Sequence, residues 1–501
     1  MAKKKTIRTI PQERTSIPVQ DPVARTRNFR EVALGYRLED ALLEAERCLL
    51  CPDPACVASC PVAIDIEGFI EKITRKDFRG SFDILTDANL LPAICGRVCP
   101  QEDQCEAVCP VGDTLEPVAI GRLERWVGDL ALAEGWTSTP YIEPNGFKVG
   151  IVGSGPAGIA CAADMAKAGC DVTVYEALHA PGGVLRYGIP EFRLPNSVVD
   201  AEMESLARLG VTIECNTLVG RLFTLKQMLE EMGFHAVFIG SGAGYPRFMG
   251  IPGESFHGVL SANELLTRCN LMGAGEFPDY DTPLDLGARV AVIGAGNTAM
   301  DAMRVSLRLG AEKVYCVYRR TRAESPAREE EIGHAEEEGV EFHWLTAPIE
   351  IVANADGNVR AMRCIRMELG APDDSGRRRP VPVEGSEYEF EADTVVYAIG
   401  TNANPVIGQT SKLALDQWGY IKADEHLATS MAGVYAGGDI VTGAATVILA
   451  MGAGRQAARS MQAYLGIRDS ERVCAPGQMG SEGTLFGIDI GERNFSRVRV
   501  R

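Results

Sequence analysis

The pattern that most constrains the fold of this chain occurs twice, first from Val149 and again from Val290. Each copy consists of an apolar strand-like run, a glycine-rich turn, an amphipathic helical segment and a second apolar run. This order is typical of the βαβ unit that binds dinucleotides. Two diverged copies therefore predict an α/β chain with two nucleotide-binding domains.

In the first copy, Gly153, Gly155 and Gly158 have the spacing G-x-G-x-x-G. The first glycine permits a tight turn, the second lets the backbone approach a pyrophosphate, and the third lets helix and strand pack closely. Glu176 closes the second strand, where a carboxylate accepts from ribose hydroxyls and repels a 2′-phosphate. We therefore expect FAD or NAD here, an unliganded turn being the alternative. The other predicted contacts are Pro156, Ala157, Gly182 and Gly183.

The second copy contains Gly294 and Gly296, with alanine in the third place. Its second strand is followed by Arg319 and Arg320 instead of an acid. Guanidinium groups pair with a phosphate dianion by charge and by bidentate geometry. This site is therefore expected to prefer NADPH to NADH, a solvated basic loop being the alternative. The remaining predicted contacts are Asn297 and Thr298.

A later group of residues is predicted to complete the flavin site, with Gly400 ahead of it. Gly438 and Asp439 belong to a glycine cluster that could close over the ribityl chain. Asp439 would accept from a hydroxyl, or it is a turn residue that binds its own backbone. Thr446 and Val447 begin a predicted helix whose N-terminus would favour negative charge on a reduced flavin.

Eight of the 15 cysteines lie between Cys48 and Cys109, in two runs of four. The surrounding residues 1–145 lack a βαβ pattern and have helical periodicity in places, which predicts a small helical domain. Zinc is one possible occupant, because C-x2-C is also a zinc spacing. The close runs, the prolines that follow several cysteines and the need of a flavin for a one-electron outlet favour iron–sulfur clusters.

The net charge of -18 argues against binding to nucleic acid. The longest apolar stretch, residues 444–454, is shorter than the roughly 20 residues of a membrane-spanning helix. The first residues are basic but lack the apolar region of a secretory signal. We therefore expect a cytoplasmic protein whose clustered cysteines are ligands and not disulfides.

Several longer motifs occur between about residue 20 and residue 465: CLLCPDPACVASCPV, LPAICGRVCPQEDQCEAVCP, GSGPAG, PGGVLRYGIPEFRLP, GAGNTAMDAMR, YRRTRAESPAR, AIGTNANP and YAGGD. With these motifs the chain closely resembles the family of the glutamate synthase small subunit. This family also includes the large subunit of the electron-bifurcating NADH-dependent ferredoxin:NADP oxidoreductase and the N-terminal half of dihydropyrimidine dehydrogenase.

The resemblance implies two 4Fe-4S clusters whose ligands cross between the cysteine runs. Glu124 matches the position of a non-cysteine ligand, and a surface helix glutamate is the alternative reading. Cys95 is left over and is expected to be a buried structural thiol. The implied ligands are Cys48, Cys51, Cys56 and Cys109 for one cluster, and Cys60, Cys99, Cys105 and Glu124 for the other.

The resemblance also implies the domain order and the electron path. We expect a cluster domain at 1–145, an FAD domain at 146–285 and 401–468, an NADPH domain inserted at 286–400, and a tail at 469–501. Electrons would pass from NADPH through FAD to the clusters, with no catalytic acid or base.

The acceptor of these electrons would be a second subunit, so a hetero-oligomer is expected. One hypothesis is a glutamate synthase large subunit. Another is a small flavin and 2Fe-2S subunit of an electron-bifurcating NADH-dependent ferredoxin:NADP oxidoreductase or of a related sulfide dehydrogenase-type complex. The segment from Gln20 to Tyr36 resembles the bifurcating and archaeal-type members more than the standard small subunit. A scaffold that keeps its nucleotide sites only for stability is a third, disfavoured by the intact turns and ligand set.

Overall fold

The computed structural model describes residues 10–136, 142–372 and 376–467, together with the backbone of a short strand pair, Thr484–Leu485 and Ile488–Asp489. The predicted 469–501 tail otherwise lies outside the described residues. Among the described helices, none has the length and apolar character needed to cross a bilayer. Helices are numbered α1 to α17 and strands β1 to β18 in chain order.

The first described range forms a helical domain, as the cysteine-rich sequence predicts. Its core consists of apolar faces from α2, α4, α5 and α7, with the two cysteine runs in the loops and helix ends around that core. Its helices are α1 (Pro22–Arg25), α2 (Leu38–Ala45), α3 (Ala55–Ser59), α4 (Ile66–Thr74), α5 (Phe78–Ala88), α6 (Pro92–Val98) and α7 (Ile120–Ala133), with 3-10 turns at Gln101–Asp103 and Pro110–Asp113.

A first parallel sheet has the strand order β16-β4-β1-β2-β3. Its central strands are apolar runs because helices cover both faces of such a sheet. Its strands are β1 (Lys148–Val152), β2 (Asp171–Tyr175), β3 (Thr212–Glu214), β4 (Ala236–Ile239) and β16 (Val434–Ala436). Its helices are α8 (Pro156–Lys167), α9 (Val184–Tyr187), α10 (Asn196–Arg208), α11 (Leu225–Glu230), α15 (Val406–Ser411), α16 (Asp439–Thr442) and α17 (Val447–Tyr464).

A second parallel sheet, of order β6-β14-β7-β8-β9, interrupts the first in the chain, which confirms the predicted insertion. The strand Val259–Ser261 belongs to this second sheet, although it lies within the range 146–285 expected for the first domain. The chain therefore enters the inserted domain earlier than the second glycine turn suggests. The strands are β6 (Val259–Ser261), β7 (Arg289–Ile293), β8 (Lys313–Val317), β9 (Glu341–His343) and β14 (Thr394–Tyr397), and the helices are α12 (Ala262–Asn270), α13 (Asn297–Arg308) and α14 (Glu329–Glu337), with 3-10 turns at Ala274–Glu276 and Arg322–Glu324.

The two chain segments that connect the parallel sheets pair with each other, and an antiparallel sheet extends the second domain. The connecting pair is β5 (Tyr245–Pro246) with β15 (Thr401–Asn402). The antiparallel sheet, which the sequence patterns do not predict, consists of β10 (Thr346–Ala353), β11 (Val359–Pro372), β12 (Arg378–Pro382) and β13 (Tyr388–Glu391).

The helical domain contacts both nucleotide-binding domains. Leu91, Ile94 and Cys99 belong to the same apolar core as α8 and α17. The segment before α2 reaches in the other direction, where Val32 packs in the core of the second domain. The helical domain therefore packs against both parallel-sheet domains.

Candidate functional site

A cavity of about 1040 Å³ lies between the two parallel sheets and is lined by both glycine turns. All of the predicted nucleotide contacts line this cavity except Gly158, Gly182 and Gly438. The predicted residues that line it are Gly153, Gly155, Pro156, Ala157, Glu176, Gly183, Gly294, Gly296, Asn297, Thr298, Arg319, Arg320, Gly400, Asp439, Thr446 and Val447.

The first glycine turn has the geometry that a pyrophosphate requires. Gly153 has a φ of 98°, which favours glycine, and a Cβ there would lie 2.7 Å from the carbonyl oxygen of Gly240. A Cβ at Gly158 would lie 1.9 Å from the carbonyl oxygen of Gly153, so this glycine permits helix–strand contact. A Cβ at Gly155 would meet nothing within 4 Å, which leaves space at the N-terminus of α8 for a phosphate.

Glu176 lies at the end of β2 and also holds the turn in place. Its carboxylate accepts from the backbone N–H and hydroxyl of Ser154, at 3.0 and 2.5 Å, and from the backbone N–H of Leu178 at 2.9 Å. The Ser154 hydroxyl accepts in turn from the backbone N–H of Gly182 at 2.9 Å. The predicted ribose contact is thus part of a buried network that connects two glycine loops.

The start of α17 and the loop before it also line the cavity. Thr446 caps α17 by accepting from the backbone N–H of Leu449 at 3.3 Å, which confirms the predicted helix start. Asp439 accepts from the backbone N–H of Ala445 at 3.2 Å, so the predicted turn contact is present. Asp439 also lines the cavity, and burial raises its pKa to about 6. A hydroxyl donor would stabilise its ionised form.

The second glycine turn repeats the first geometry around α13. A Cβ at Gly294 would lie 2.3 Å from the carbonyl oxygen of Ala398, whereas a Cβ at Gly296 would meet only a proline carbon at 3.7 Å. Asn297 Oδ1 accepts from the backbone N–H of Arg328 at 3.0 Å. Ser325 Oγ donates to the carbonyl of Ala295 at 2.7 Å, which fixes the loop after β8 against the turn.

The three arginines after β8 have different surroundings. Arg319 is exposed and lines the cavity. Arg320 also lines the cavity but is 5% exposed, and its Nε donates to the backbone carbonyl of Arg378 at 2.9 Å. Arg322 forms ion pairs with Glu329 and Glu336.

The first predicted ligand set is brought together from both cysteine runs. Burial, followed by the nearby thiol charges of Cys109 and Cys51, raises the pKa of Cys48 to about 11. Burial, followed by Cys109 and Cys48, likewise raises the pKa of Cys56 to about 11. Thiols that repel one another in this way are held together more easily when a metal cluster compensates their negative charge.

The second predicted set lies around Glu124 on α7. Burial raises the pKa of Cys60 to about 12, and the charges of Glu124 and Cys99 add to this effect. Burial raises the pKa of Cys105 well above its usual range, with further contributions from Glu106, Cys60 and Glu124. In both predicted sets, cysteines of the first run therefore lie near cysteines of the second run.

Glu124 is buried, which contradicts the alternative of a surface glutamate. It is 6% exposed, and its Oε1 accepts from Asn89 Nδ2 at 2.6 Å. Burial raises its pKa to about 8, because an ionised carboxylate is costly at this place without a compensating cation. Within the described ranges, no group of three or more His, Cys, Asp or Glu side chains could hold a metal ion. A 4Fe-4S cluster instead needs ligands spread around four irons.

Cys95 is fully buried, as expected for a structural thiol. Its Sγ lies 3.6 Å from Asn89 Oδ1 and 3.6 Å from Met451 Sδ on α17. The same loop reaches the large cavity, since Val98 and Pro100 on either side of Cys99 line it. Cys99 of the second predicted set therefore lies beside the wall of this cavity.

Sequence patterns do not identify these cavity-wall residues of the helical domain, because proline and valine beside a cysteine are unspecific. They also miss Tyr187 and Arg193, which line the cavity. Both residues belong to the motif PGGVLRYGIPEFRLP, and this motif is the sequence feature that could have identified them.

Comparisons with known proteins agree with this architecture. The family "dihydropyrimidine dehydrogenase domain II, 4Fe-4S cluster" matches residues 25–136, and "pyridine nucleotide-disulphide oxidoreductase" matches residues 147–457. The glutamate synthase (NADPH) small chain of Azospirillum brasilense is 36% identical over 89% of this chain and 94% of that protein. The NADP(+)-dependent formate dehydrogenase subunit beta of Moorella thermoacetica is 40% identical over 82% of this chain and 60% of that protein.

Among solved structures, FprA from Mycobacterium tuberculosis in complex with NADPH matches with a TM-score of 0.54 and 22% identity. The match covers 65% of this chain and 85% of that one and supports the fold alone. The sequence matches carry more, because they span both the cysteine domain and the two nucleotide-binding domains. The chain therefore belongs to the pyridine nucleotide-disulphide oxidoreductases, is an oxidoreductase related to the glutamate synthase small chain, and carries a 4Fe-4S domain of the dihydropyrimidine dehydrogenase type.

Proposed function

We propose that the chain takes electrons from NADPH and delivers them through FAD and two 4Fe-4S clusters to a partner subunit. The observation that carries this proposal is one cavity lined by both glycine turns and, beside Cys99, by Val98 and Pro100. When bound, the flavin would accept an electron pair from the nicotinamide and the clusters would carry electrons singly.

The residues of the chain would bind and orient these groups. The N-termini of α8 and α13 and their open glycines suit two pyrophosphates. Asp439 and the start of α17 suit the ribityl chain and the flavin ring, and the crossed thiol sets with Glu124 suit the clusters. The buried network of Ser154 and Glu176 would keep the first turn rigid.

The partner is proposed from the relatives. A glutamate synthase small chain and a formate dehydrogenase subunit beta are both subunits by name. We propose a hetero-oligomer in which a separate subunit accepts the electrons, with a glutamate synthase large subunit as the first candidate. A small flavin and 2Fe-2S subunit remains the second candidate, because residues 20–36 favour it. The cytoplasm is the proposed location.

Anaerobic titration with NADPH tests the proposal. The protein should purify with about one flavin and about eight irons per chain. NADPH should bleach the flavin absorbance and generate the electron paramagnetic resonance (EPR) signals of reduced clusters, with NADH much less effective. A colourless protein that carries zinc, or a flavin that NADPH leaves oxidised, would overturn it. Identification of the co-purified partner distinguishes the two acceptors.

A further inference from the structure

The β11–β12 hairpin belongs to the antiparallel sheet and not to either βαβ unit. Arg377 lies directly before β12, is exposed, and lines the large cavity. Arg319, which follows β8, is also exposed and lines the same cavity. Two arginines from separate elements thus line the same cavity as the second glycine turn.

One direct hydrogen bond holds the hairpin against the loop after β8, and further bonds brace each side of it. The buried Arg320 donates through Nε to the backbone carbonyl of Arg378, the residue next to Arg377, at 2.9 Å. The Arg378 guanidinium donates to the carbonyls of Leu369 and Gly370 on the opposite strand, at 2.5 and 3.2 Å. A further bond joins the backbone N–H of Leu345 to the carbonyl of Arg320 at 3.0 Å. The position of Arg377 is therefore tied to Arg320.

We propose that Arg377 and Arg319 bind the 2′-phosphate of NADPH, and that Arg320 acts as a positioning residue that fixes Arg377. This inference rests on the proposed function and names a specificity residue for it. A phosphate dianion has three acceptor oxygens, which two exposed guanidinium groups can share. Arg320 is only 5% exposed, and its Nε already donates to the hairpin backbone. It is therefore better suited to holding the hairpin in position than to binding the phosphate itself.

Calorimetric binding of 2′,5′-ADP and 5′-ADP to the full-length holoprotein tests this inference. Arg377→Ala should weaken 2′,5′-ADP roughly tenfold, as expected for loss of one exposed charge-assisted contact, and leave 5′-ADP unchanged. In turnover with a dye acceptor, KM for NADPH should rise while kcat and the parameters for NADH stay constant. The control is Arg379→Ala, which removes an exposed charge from the same hairpin at a residue that does not line the cavity.

A double-mutant cycle tests the positioning role. If Arg320 acts through Arg377, Arg320→Lys should weaken 2′,5′-ADP alone, and adding Arg377→Ala should cause little further loss. Additive losses would overturn the positioning role of Arg320.

Unchanged 2′,5′-ADP affinity in Arg377→Ala would overturn the phosphate contact, and so would equal weakening of both nucleotides. A wild-type protein with no preference for 2′,5′-ADP over 5′-ADP would count against the proposed NADPH site itself, which separates the two failures.

Discussion

Substitution of Glu124 gives the most direct test of the proposed cluster ligands. Replacing it with alanine should remove one ligand and destabilise one cluster, because the carboxylate is buried among the thiols of Cys60 and Cys105. Iron should fall from about eight toward about four atoms per chain while flavin content is retained. Iron analysis and EPR of the reduced protein measure both. Glu134→Ala, at the exposed end of the same helix, is the matched control.

An unchanged iron content and spectrum in Glu124→Ala would show that this carboxylate is not a ligand. Cys95 would then be the next candidate, since it lies in the same buried pocket and its Sγ contacts Asn89, which also binds Glu124. The double variant with Cys95→Ser would distinguish replacement by this thiol from a cluster that never used either residue.

The sequence predicts the structural role of single residues well where the interacting residues are close together in the chain. The spacing of Gly153, Gly155 and Gly158 places these residues correctly, because a strand, a turn and a helix start lie within one short segment. Arg320 illustrates the limit. Its position after β8 is predictable, but its bond to the backbone of Arg378 joins residues far apart in the chain. A sequence pattern therefore cannot tell that Arg320 positions the hairpin whereas Arg319 is free of that bond and is proposed to bind the phosphate.

At the scale of elements, α6 and α7 cross where each presents a glycine. A Cβ at Gly96 would lie 2.4 Å from the backbone nitrogen of Arg125, and a Cβ at Gly128 would lie 2.5 Å from that of Ala93. The helix α6 leads to Cys99, and α7 carries Glu124. The small residues thus let two helices approach closely enough to combine ligands of one set.

Gly96→Ala should therefore push the helices apart and cost roughly 1–3 kcal/mol of the free energy of unfolding. Loss of iron should accompany this change, measured with thermal unfolding of the same samples. Gly333→Ala on α14 is the control, since a Cβ there meets nothing within 4 Å and should be neutral or stabilising. Full iron content in Gly96→Ala would show that the crossing distance does not set the site.

The antiparallel sheet is the element that sequence patterns miss. Its strands pair across 346–391, and β11 and β12 carry many exposed polar residues, so no continuous apolar run marks them. The strand Val259–Ser261 falls outside the range expected for its domain for a related reason. It is three residues long, and its sheet is decided by pairing with Val395, Val396 and Tyr397, far along the chain. Pairing of this kind depends on tertiary contacts.

At the scale of the whole molecule, the segment before α2 fastens the cysteine domain to the second nucleotide-binding domain. Arg25 is fully buried, and its Nε and Nη2 bind Glu338 and Glu337 at 2.7 and 2.8 Å. Arg328 of the second domain reaches back to Glu102 at 3.1 Å. These contacts join the helical domain to α14 and its N-cap residue Arg328, an arrangement that motifs alone do not determine.

Arg25→Met should release this segment, because it leaves a buried glutamate without one of its partners, at a cost of about 3 kcal/mol. Hydrogen exchange in residues 20–34 should accelerate on the order of a hundredfold. Arg27→Met, two residues away and exposed, should leave the exchange unchanged. If both variants exchange as the wild type does, the ion pairs do not hold the segment.

The same ion cluster predicts how the protein responds to acid. Burial opposes ionisation of Glu338, but hydrogen bonds and charges from Arg308 and Arg304 lower its pKa to about 2. The folded pKa lies below the roughly 4.3 of an unfolded glutamate, so the stabilisation is complete above pH 4.3 and is lost as pH falls toward 2.

Glu338→Gln should be less stable at pH 6 yet lose less stability between pH 5 and pH 3, measured by urea unfolding. Glu341→Gln, an exposed glutamate on the neighbouring strand β9, should retain the wild-type slope. Equal slopes for wild type and Glu338→Gln would mean that acid acts elsewhere in the molecule.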